Sequence, residues 1–302
     1  TIAEKQLFPR KYSDWYFLSG KSCNQQWAKM VKRTLRVKWW VGYFLAWNKY
    51  FPDGDEYVKY PAIHNVPRSS ADILGRQSQS PPRMNFLSEE VDDAKAWLGK
   101  QGWKEGEHFV CLLVRDSAYL IHEPIHNWSE QRQSYHSYRD TNIETYVQAT
   151  DYLTSQGIWV LRMGKIMEKP FPVTHPKVID YAFHPERSDL LDVWLFANCF
   201  FCISTGSGPD AISDFYRKPM LYINAGPFHS FNSWSNSIWI PKHTIWKETQ
   251  KPLTLLEYLQ NSYDRTELYT NAGIEVVDLN SKEIFEGVKE RLERIQGNWV
   301  NE

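Results

Sequence analysis

The stretch that decides the fold is FCISTGSGPDAISDFYRKPMLYIN, residues 201–224. An apolar run stops at five small residues, Ser204-Thr205-Gly206-Ser207-Gly208, and an amphipathic segment that begins at Pro209 leads into a second apolar run. An apolar run, a short loop, a helix and another apolar run form the pattern of a strand–helix–strand unit in a parallel sheet. This stretch therefore predicts an α/β fold.

The same alternation of apolar runs and helical segments extends from Ser88 to the C-terminal end of the sequence. Predicted strands cover residues 108–114, 158–163, 178–183, 199–204 and 219–224, and predicted helices start at Ser88, Asn142, Ser188 and Pro209 or cover 254–260 and 281–296. Strands and helices that alternate through short connections predict a parallel sheet with helices on both faces. We therefore expect a Rossmann-like domain over residues 85–302.

Residues 1–84 have a different pattern and are expected to form a smaller N-terminal α/β part. An amphipathic helix is predicted over 25–37, and the apolar run 38–47 predicts a strand followed by a helix. Residues 61–84 contain four prolines, which indicates a loop or linker.

The composition is that of a globular protein with little net charge. A formal net charge of −1 over 302 residues gives no overall attraction to nucleic acid, so no nucleic-acid partner is expected. No apolar run reaches the roughly 18 residues of a membrane-spanning helix, and four cysteines fit a reducing cytoplasm. Cys199 and Cys202 have the spacing of a metal knuckle, but residues three apart in a strand point to opposite faces, so no metal site is expected.

Candidate ligand-binding residues follow the predicted strands. In an open parallel sheet, ligands bind beyond the carboxyl ends of the strands. The polar and small residues at these positions are Arg115, Asp116, Arg162, Gly164, Asp180, Tyr181, residues 204–208 and Asn224. Because the guanidinium fork matches the oxygens of a phosphate, arginines at two strand ends favour an anionic ligand.

The small-residue loop 204–208 is the most specific of these candidates. Small side chains let backbone N–H groups approach a ligand, and the helix that begins at Pro209 presents its positive end to the same place. The loop has neither the P-loop pattern GxxxxGK[ST] nor the third glycine of GxGxxG. It predicts a phosphate or pyrophosphate site, and a plain tight turn is the alternative.

Weaker signals lie elsewhere in the chain. Asp53-Gly54-Asp55 matches the DxD pattern of metal-dependent sugar transferases, but it is also ordinary turn chemistry. Three histidines and a glutamate cluster in one predicted loop, at a spacing that fits no metal template: His122, Glu123, His126 and His136. The basic residues within 29–38 suit peripheral contact with a membrane surface, and a solvated helix face is the alternative.

Three blocks of sequence resemble a bacterial family of glycosyltransferases from surface-polysaccharide gene neighbourhoods, which is similar to the fucosyltransferase-like GT-B enzymes. The blocks are FVCLLVRDSAYL, RDTNIETYVQATDYLTSQGIWVLRMG and VIDYAFHPERSDLLDVWLFANCFFCISTGSGPDAIS, and the resemblance covers about residues 85–295. It implies a GT-B fold, with two Rossmann-like domains around a cleft, a nucleotide sugar bound to the C-terminal domain, and a C-terminal helix that crosses back. It also implies catalysis without a metal or another cofactor.

The resemblance also assigns roles by position. Arg115, Arg139 and residues Ser204 to Gly208 would hold the donor pyrophosphate. Near the base or ribose it places the pairs Asp180-Tyr181 and Ser188-Asp189, to which we add Arg162 and Gly164 from the neighbouring strand end. The chain departs from the family pattern in two ways. Leu113 stands where the family often has histidine. The N-terminal part is short for a complete Rossmann-like domain, and this shortness implies an incomplete acceptor side or further domains in a larger chain.

The function expected from the sequence is therefore transfer of a sugar from a nucleotide sugar to a glycan or another hydroxyl acceptor, in the synthesis of surface polysaccharide or glycoconjugate. Asp116 is the candidate base for the acceptor hydroxyl. The expected location is the cytoplasm, at the inner face of the membrane where residues 29–38 contact it. The alternatives are a degenerate GT-B module that binds a nucleotide sugar or glycan without turnover, and an enzyme that moves another phosphate-linked group.

Overall fold

The computed structural model describes residues 13–18, 20, 22–58, 79–122, 137–227, 235–261 and 263–300. Its centre is a parallel six-stranded sheet in the order β3-β2-β1-β4-β5-β6. The strands are β1 Phe109–Leu113, β2 Trp159–Arg162, β3 Val178–Ile179, β4 Cys202–Ser204, β5 Met220–Ala225 and β6 Ser237–Pro241. The predicted α/β class and Rossmann-like parallel sheet are confirmed, because this is the strand order of a doubly wound dinucleotide-binding fold.

Helices flank the sheet and also precede it. They are α1 Gln25–Thr34, α2 Val41–Asn48, α3 Gly54–Tyr57, α4 Ser88–Lys100, α5 Ala118–His122, α6 Val147–Ser155, α7 Asp189–Asn198, α8 Ala211–Phe215, α9 Leu255–Gln260, α10 Thr266–Asn271 and α11 Ser281–Gln296. Short 3₁₀ turns occupy Ser137–Arg139, Ile143–Tyr146, Tyr181–Phe183 and Gly208–Asp210. A separate antiparallel pair joins β7 His243–Trp246 to β8 Ile274–Val277. No helix of the described part is long and apolar enough to cross a membrane.

Both faces of the sheet are buried, which explains the continuous apolar runs of its strands. Along β1, Cys111 and Leu113 face a core that includes residues of α4 and α7, while Val110 and Leu112 face a core that includes residues of α6 and α11. Helix α11, which the resemblance implies crosses back to the N-terminal part, packs here on α6 and β5.

Several predicted boundaries shift. The predicted strand 178–183 is two residues long, because the Asp180 carboxylate accepts the Phe171 N–H at 2.8 Å and the chain turns into a 3₁₀ segment at Tyr181. Helix α4 has Leu87 rather than Ser88 at its N-cap, where the Glu90 carboxylate accepts the Leu87 N–H at 2.9 Å. The sequence analysis did not predict β6, β7 or β8.

Helix α1 is packed on the sheet domain. Met30 is buried in one cluster with Val193 of α7. The Asp189 carboxylate accepts the Gln25 N–H at 2.6 Å, and Arg33 forms an ion pair with Glu90 at 2.9 Å. The contacts place α1 in the same packed body as the sheet, while the division of the chain at residue 84 stays a prediction.

Candidate functional site

The carboxyl ends of β1 and β4 meet at the point where the strand order reverses, which is where doubly wound sheets bind ligands. Leu113 and Ser204 are paired residues of the two strands. The Thr205 N–H donates to the Leu113 carbonyl at 3.2 Å, and the Arg115 N–H donates to the Thr205 hydroxyl oxygen at 3.0 Å. These bonds continue the contact between the two chain segments beyond the paired strands and bring Arg115 next to the loop after β4.

That loop is organised around one buried carboxylate, Asp210. Ser204 Oγ donates to Asp210 Oδ2 at 2.5 Å, and the Ser207 N–H donates to the same oxygen at 2.7 Å. The Gly206 N–H donates to Ser204 Oγ at 3.1 Å. Burial raises the pKa of Asp210 to about 6, although these hydrogen bonds oppose the shift.

These bonds limit which groups of the loop can face a pyrophosphate, and its binding by residues 204–208 stays a prediction. The N–H groups of Thr205, Gly206 and Ser207 all donate to acceptors within the protein, and the Ser204 and Thr205 side chains are buried. Gly208 is exposed at the start of the 3₁₀ turn. An anion at this edge would therefore meet Gly208 and nearby cationic side chains rather than five successive loop residues.

Two arginines lie beside the loop. Arg139 Nη2 donates to the Gly206 carbonyl, and Arg115 Nε forms an ion pair with Asp140 Oδ1 at 3.2 Å. Burial lowers the pKa of Arg115, and the positive charge of Arg139 lowers it further. Within the described ranges Arg139 forms no ion pair, so its charge is not neutralised by a carboxylate in contact with it. The structure thus brings together Arg115 and Arg139, as the sequence analysis expected.

Three further residues of this edge were not predicted as part of the site: Lys242, Asp278 and Asp140. Lys242, directly after β6, forms an ion pair with Asp278 at 2.6 Å and donates to the Asp140 carbonyl at 2.6 Å. Burial raises the pKa of Asp140, and the charges of Arg115 and Lys242 oppose this shift. Lys242 could have been found only by recognising β6 as a strand, and Asp278 precedes helix α11 with no local signal of its own.

An open pocket of about 280 Å³ lies beside Asp140. It is lined by Val114, Asp116, Ser117, Asp140, Thr141, Asn142, Ile143, Glu168, Lys169 and Asp278. Asp116, the candidate base, accepts the Ala118 N–H at Oδ1 (3.0 Å) and the Glu168 N–H at Oδ2 (2.9 Å). Both of its oxygens are therefore engaged in holding the local backbone.

The predicted base and ribose contacts at the ends of β2 and β3 stay a prediction, and the packing of these residues argues against them. Arg162 is 1% exposed, and its guanidinium donates to Asp180 Oδ1 at 3.2 Å and to the Lys169 carbonyl at 3.1 Å. Asp180 in turn accepts the Phe171 N–H. The pair fixes the segment between β2 and β3, and Arg162 is closed off from a ligand.

Tyr181, Ser188 and Asp189 also serve the fold. Tyr181 is buried with its ring edge-on to Trp97 at 5.4 Å, and its hydroxyl donates to the Ser188 carbonyl at 3.2 Å. Ser188 Oγ accepts the Leu191 N–H and caps α7, while Asp189 accepts a backbone N–H of α1. These contacts are a physical reason against a ribose or base role for them.

Gly164 has a φ of +156°, and the side chain of Met167 lies where a Cβ would be. The position therefore demands glycine for the shape of the chain, whatever binds beside it.

The weaker signals gain no support from geometry. Asp53 is exposed in the turn before α3, with a φ of +57° that suits a turn. His122 is exposed at the end of α5, whereas Glu123, His126 and His136 lie outside the described residues. Across the described ranges, no group of three or more histidine, cysteine or acidic side chains is arranged to hold a metal ion.

Comparisons with known proteins are sparse. No protein-family model matches the chain, and no curated protein matches it. Among solved structures, the chain is similar to the crystal structure of a glycosyl transferase family 9 protein from Veillonella parvula DSM 2008, with 11% sequence identity and a TM-score of 0.44. The match covers 71% of this chain and 55% of that chain, so this chain spans little more than half the length of the protein it matches. Function therefore has to be argued from the geometry of the site.

Proposed function

We propose that this chain is a glycosyltransferase that binds the diphosphate of a nucleotide sugar at the carboxyl ends of β1 and β4. The observation that carries the proposal is Arg139, a guanidinium without an ion-pair partner in the described part of the chain, next to a second guanidinium at the switch point of a Rossmann-like sheet. Two neighbouring cations repel each other, and a bound dianion relieves this repulsion. A bound phosphate would give Arg139 the ion-pair partner that it lacks within the described residues.

The chemistry needs an electrostatic partner for the leaving group. When the bond between the sugar and the diphosphate breaks, negative charge accumulates on the departing phosphate oxygens. Arg139 and Arg115 are fixed before the reaction, Arg139 by the Gly206 carbonyl and Arg115 by Asp140, so they stabilise that charge without reorganising. This role is compatible with a transferase that uses no metal, as the family resemblance implies.

The acceptor hydroxyl would occupy the neighbouring pocket, whose rim carries Asp116 and Asp140. Asp116 remains the candidate base; the Ala118 and Glu168 N–H groups hold its carboxylate in place, and each oxygen keeps a second lone pair that can accept a proton. Burial raises the pKa of Asp140, and its ion pair with Arg115 opposes this shift. The sugar and the acceptor, together with a role in surface-polysaccharide synthesis, stay part of the proposal.

The experiment is calorimetric titration of the purified chain with GDP, UDP, CMP and dTDP, repeated with Arg139→Ala. A charge-assisted hydrogen bond contributes about 1.5–3 kcal/mol, so we expect one nucleotide diphosphate to bind and to lose about ten- to a hundredfold in affinity in the variant. The matched control is Arg83→Ala, because Arg83 is exposed and precedes Met84, which packs against α1 and α7 away from the switch point.

Equal affinity in Arg139→Ala and Arg83→Ala would overturn the proposed diphosphate site. Binding of none of the four nucleotides by the unmodified chain would have the same consequence. If Arg139→Ala lost affinity and also had a melting temperature well below that of Arg83→Ala, the arginine would act on the stability of the loop rather than on the ligand.

A second candidate function is recognition of a nucleotide sugar or glycan without turnover. The observation that favours it is Asp116, both of whose carboxylate oxygens are already hydrogen-bonded to backbone N–H groups. Incubation with the nucleotide sugars of the base that binds would separate the two functions. Release of free nucleotide in the presence of a hydroxyl acceptor supports transfer, whereas tight binding without release supports the binding module.

A further inference from the structure

Helix α2 and the residues on either side of it carry a stripe of exposed aromatic side chains. We call this stripe the aromatic patch; it consists of Trp39, Tyr43, Phe44, Trp47, Tyr50 and Phe51. Each of these residues is between 63% and 86% exposed, and no residue of α2 is buried. Their spacing of three and four residues places them along one side of the helix and the turn that follows it. The aromatic patch exceeds what a soluble monomer normally exposes.

Two residues outside the aromatic patch, Trp40 and Gly42, contact the chain that precedes α1, so the aromatic patch has a defined position. Trp40 packs on Trp15 with ring centroids 5.0 Å apart, and Gly42 lies against the ring of Phe17. The Tyr16 N–H donates to the Arg36 carbonyl at 3.0 Å, which fastens this segment to the chain just before α2. Helix α1 is in turn bound to α7 of the sheet domain. The aromatic patch is therefore held on the outside of a packed body.

The charge around the aromatic patch has one sign. Residues 25–52 contain six basic residues, Lys29, Lys32, Arg33, Arg36, Lys38 and Lys49, and no acidic residue. All six are exposed, and Arg33 pairs with Glu90 of α4. The whole chain has a net charge of −1, so this concentration of positive charge is local. A surface with this charge is complementary to an anionic partner.

The chemistry of the aromatic patch distinguishes a lipid surface from a protein partner. Trp and Tyr combine an apolar ring with a polar group and favour the boundary between lipid headgroups and acyl chains. Lysine is depleted at protein–protein interfaces, whereas lysine beside exposed aromatic rings is typical of helices that lie in a membrane interface. Four of the six basic residues here are lysines.

A second exposed apolar group in the same chain lacks these properties. Leu255, Leu256 and Leu259 of α9 are between 61% and 65% exposed. They are aliphatic, and Glu257 lies among them. The three leucines are about as exposed as the least exposed residues of the aromatic patch. They have neither interfacial aromatic rings nor surrounding charges of a single sign, so they provide an internal control.

We propose that the aromatic patch binds the surface of an anionic lipid bilayer, with α2 lying in the plane of the interface and the surrounding lysines on the anionic headgroups. The sequence analysis placed membrane contact on residues 29–38 alone. The structure divides the roles differently, because Met30 and Ala28 of α1 are buried against the sheet domain and α2 supplies the apolar contact. This inference does not depend on the proposed transferase activity.

The test is co-sedimentation of the full chain with vesicles of phosphatidylcholine mixed with phosphatidylglycerol, compared with vesicles of phosphatidylcholine alone. We expect binding to the anionic vesicles, and a loss of about tenfold or more in Trp39→Ser/Tyr43→Ser/Trp47→Ser. Lys38→Gln/Lys49→Gln should lose about tenfold on anionic vesicles only, and added salt should weaken binding of the unmodified chain. The control Leu255→Ser/Leu256→Ser/Leu259→Ser should bind as the unmodified chain does.

Three outcomes would overturn the proposal. The first is no sedimentation of the unmodified chain with anionic vesicles. The second is an equal loss in the aromatic and leucine variants, which would remove any special role of the aromatic patch. The third is concentration-dependent self-association in light scattering that the aromatic variant abolishes while vesicle binding is unchanged, which would assign the patch to contact between copies of the chain. Melting curves of each variant establish that it is folded.

Discussion

Arg162 and Arg139 illustrate two ways in which a parallel sheet can use an arginine at its carboxyl edge. Arg162 ends β2, is 1% exposed, and is satisfied by Asp180 and the Lys169 carbonyl. Arg139 approaches the end of β4 from a 3₁₀ turn, donates to the Gly206 carbonyl and forms no ion pair within the described residues. One charge is paired with a carboxylate inside the protein, and the other is the charge that we propose meets a ligand.

The difference teaches where to look for function along such an edge. A buried ion pair that is complete contributes to holding one local structure and offers nothing to an incoming anion. A guanidinium that donates to a carbonyl and forms no ion pair within the described residues can still meet an anion. This contrast is why the proposed site lies at the switch point rather than at the end of β2.

The largest expected effect is on stability, from Arg162→Met. The substitution removes the buried cation and leaves the Asp180 carboxylate without its partner, which typically costs about 3–5 kcal/mol. Chemical denaturation measures this free energy of unfolding. The matched control is Arg294→Met, which breaks the exposed pair with Glu290 at 2.7 Å and should cost at most about 1 kcal/mol.

The double variant Arg162→Met/Asp180→Asn sharpens the interpretation. If the cost comes from an uncompensated carboxylate, neutralising Asp180 should recover a large part of it, because an asparagine oxygen can still accept the Phe171 N–H. No recovery would contradict the charge argument and would assign the cost to lost packing. Equal costs for Arg162→Met and Arg294→Met would remove the distinction between a buried and an exposed pair.

The second effect is a pH dependence of stability that Asp210 at the switch point contributes. Asp210 has its pKa raised to about 6 by burial, against about 3.9 for an unfolded aspartate. Between these values the folded protein binds more protons than the unfolded chain, so stability falls as pH rises through this window. The loss is at most on the order of 3 kcal/mol, because each pKa unit corresponds to about 1.4 kcal/mol.

Asp210→Asn isolates this contribution from all other titrating groups. The free energy of unfolding of the natural chain minus that of the variant should decrease as the pH rises from about 4 to about 6, and should be constant above. Urea denaturation at a series of pH values measures the difference. A difference that increases with pH would mean that the loop lowers the pKa of Asp210 instead of raising it.

The sequence predicted the sheet because parallel strands carry their signal locally. Residues that alternate between two buried faces, such as Cys111 and Leu112, produce a continuous apolar run, and the helix signals between such runs set the topology. Strand β6 escaped prediction because it is only partly buried and ends at Pro241. Strands β7 and β8, which form the separate antiparallel pair, lack a shared local pattern.

The site was harder to predict because it depends on distant partners. Arg115 and Arg162 look alike in sequence, each at the end of an apolar run, and their different roles depend on Asp140 and Asp180 across the edge. Sequence reasoning could have found Asp210, since Ser207 precedes it by three residues, the spacing of a capping box. Residues 38–47 were predicted as a strand followed by a helix; the structure has helix α2 there and no strand, and the exposure of α2 follows from tertiary packing that no periodicity shows.

The smallest expected effect separates two glycines of one loop. Gly206 has a φ of +79°, in the left-handed region, so Gly206→Ala should cost about 1–2 kcal/mol of stability. Gly208 has no positive φ and open space where a Cβ would be, so Gly208→Ala should change stability little or raise it slightly. Thermal denaturation of the two variants measures the difference.

Diphosphate affinity should follow the opposite order from stability. A Cβ on Gly206 would lie 3.8 Å from Arg139 Nη2, an ordinary contact that leaves the guanidinium in place. A Cβ on Gly208 would instead crowd the one exposed glycine at which an anion can approach the loop. We therefore expect Gly208→Ala to weaken diphosphate binding more than Gly206→Ala in the same calorimetric titration. The reverse order would place the anion nearer Gly206 than Gly208. It would also weaken the contrast between the end of β4, beside Arg139, and the end of β2, at Arg162.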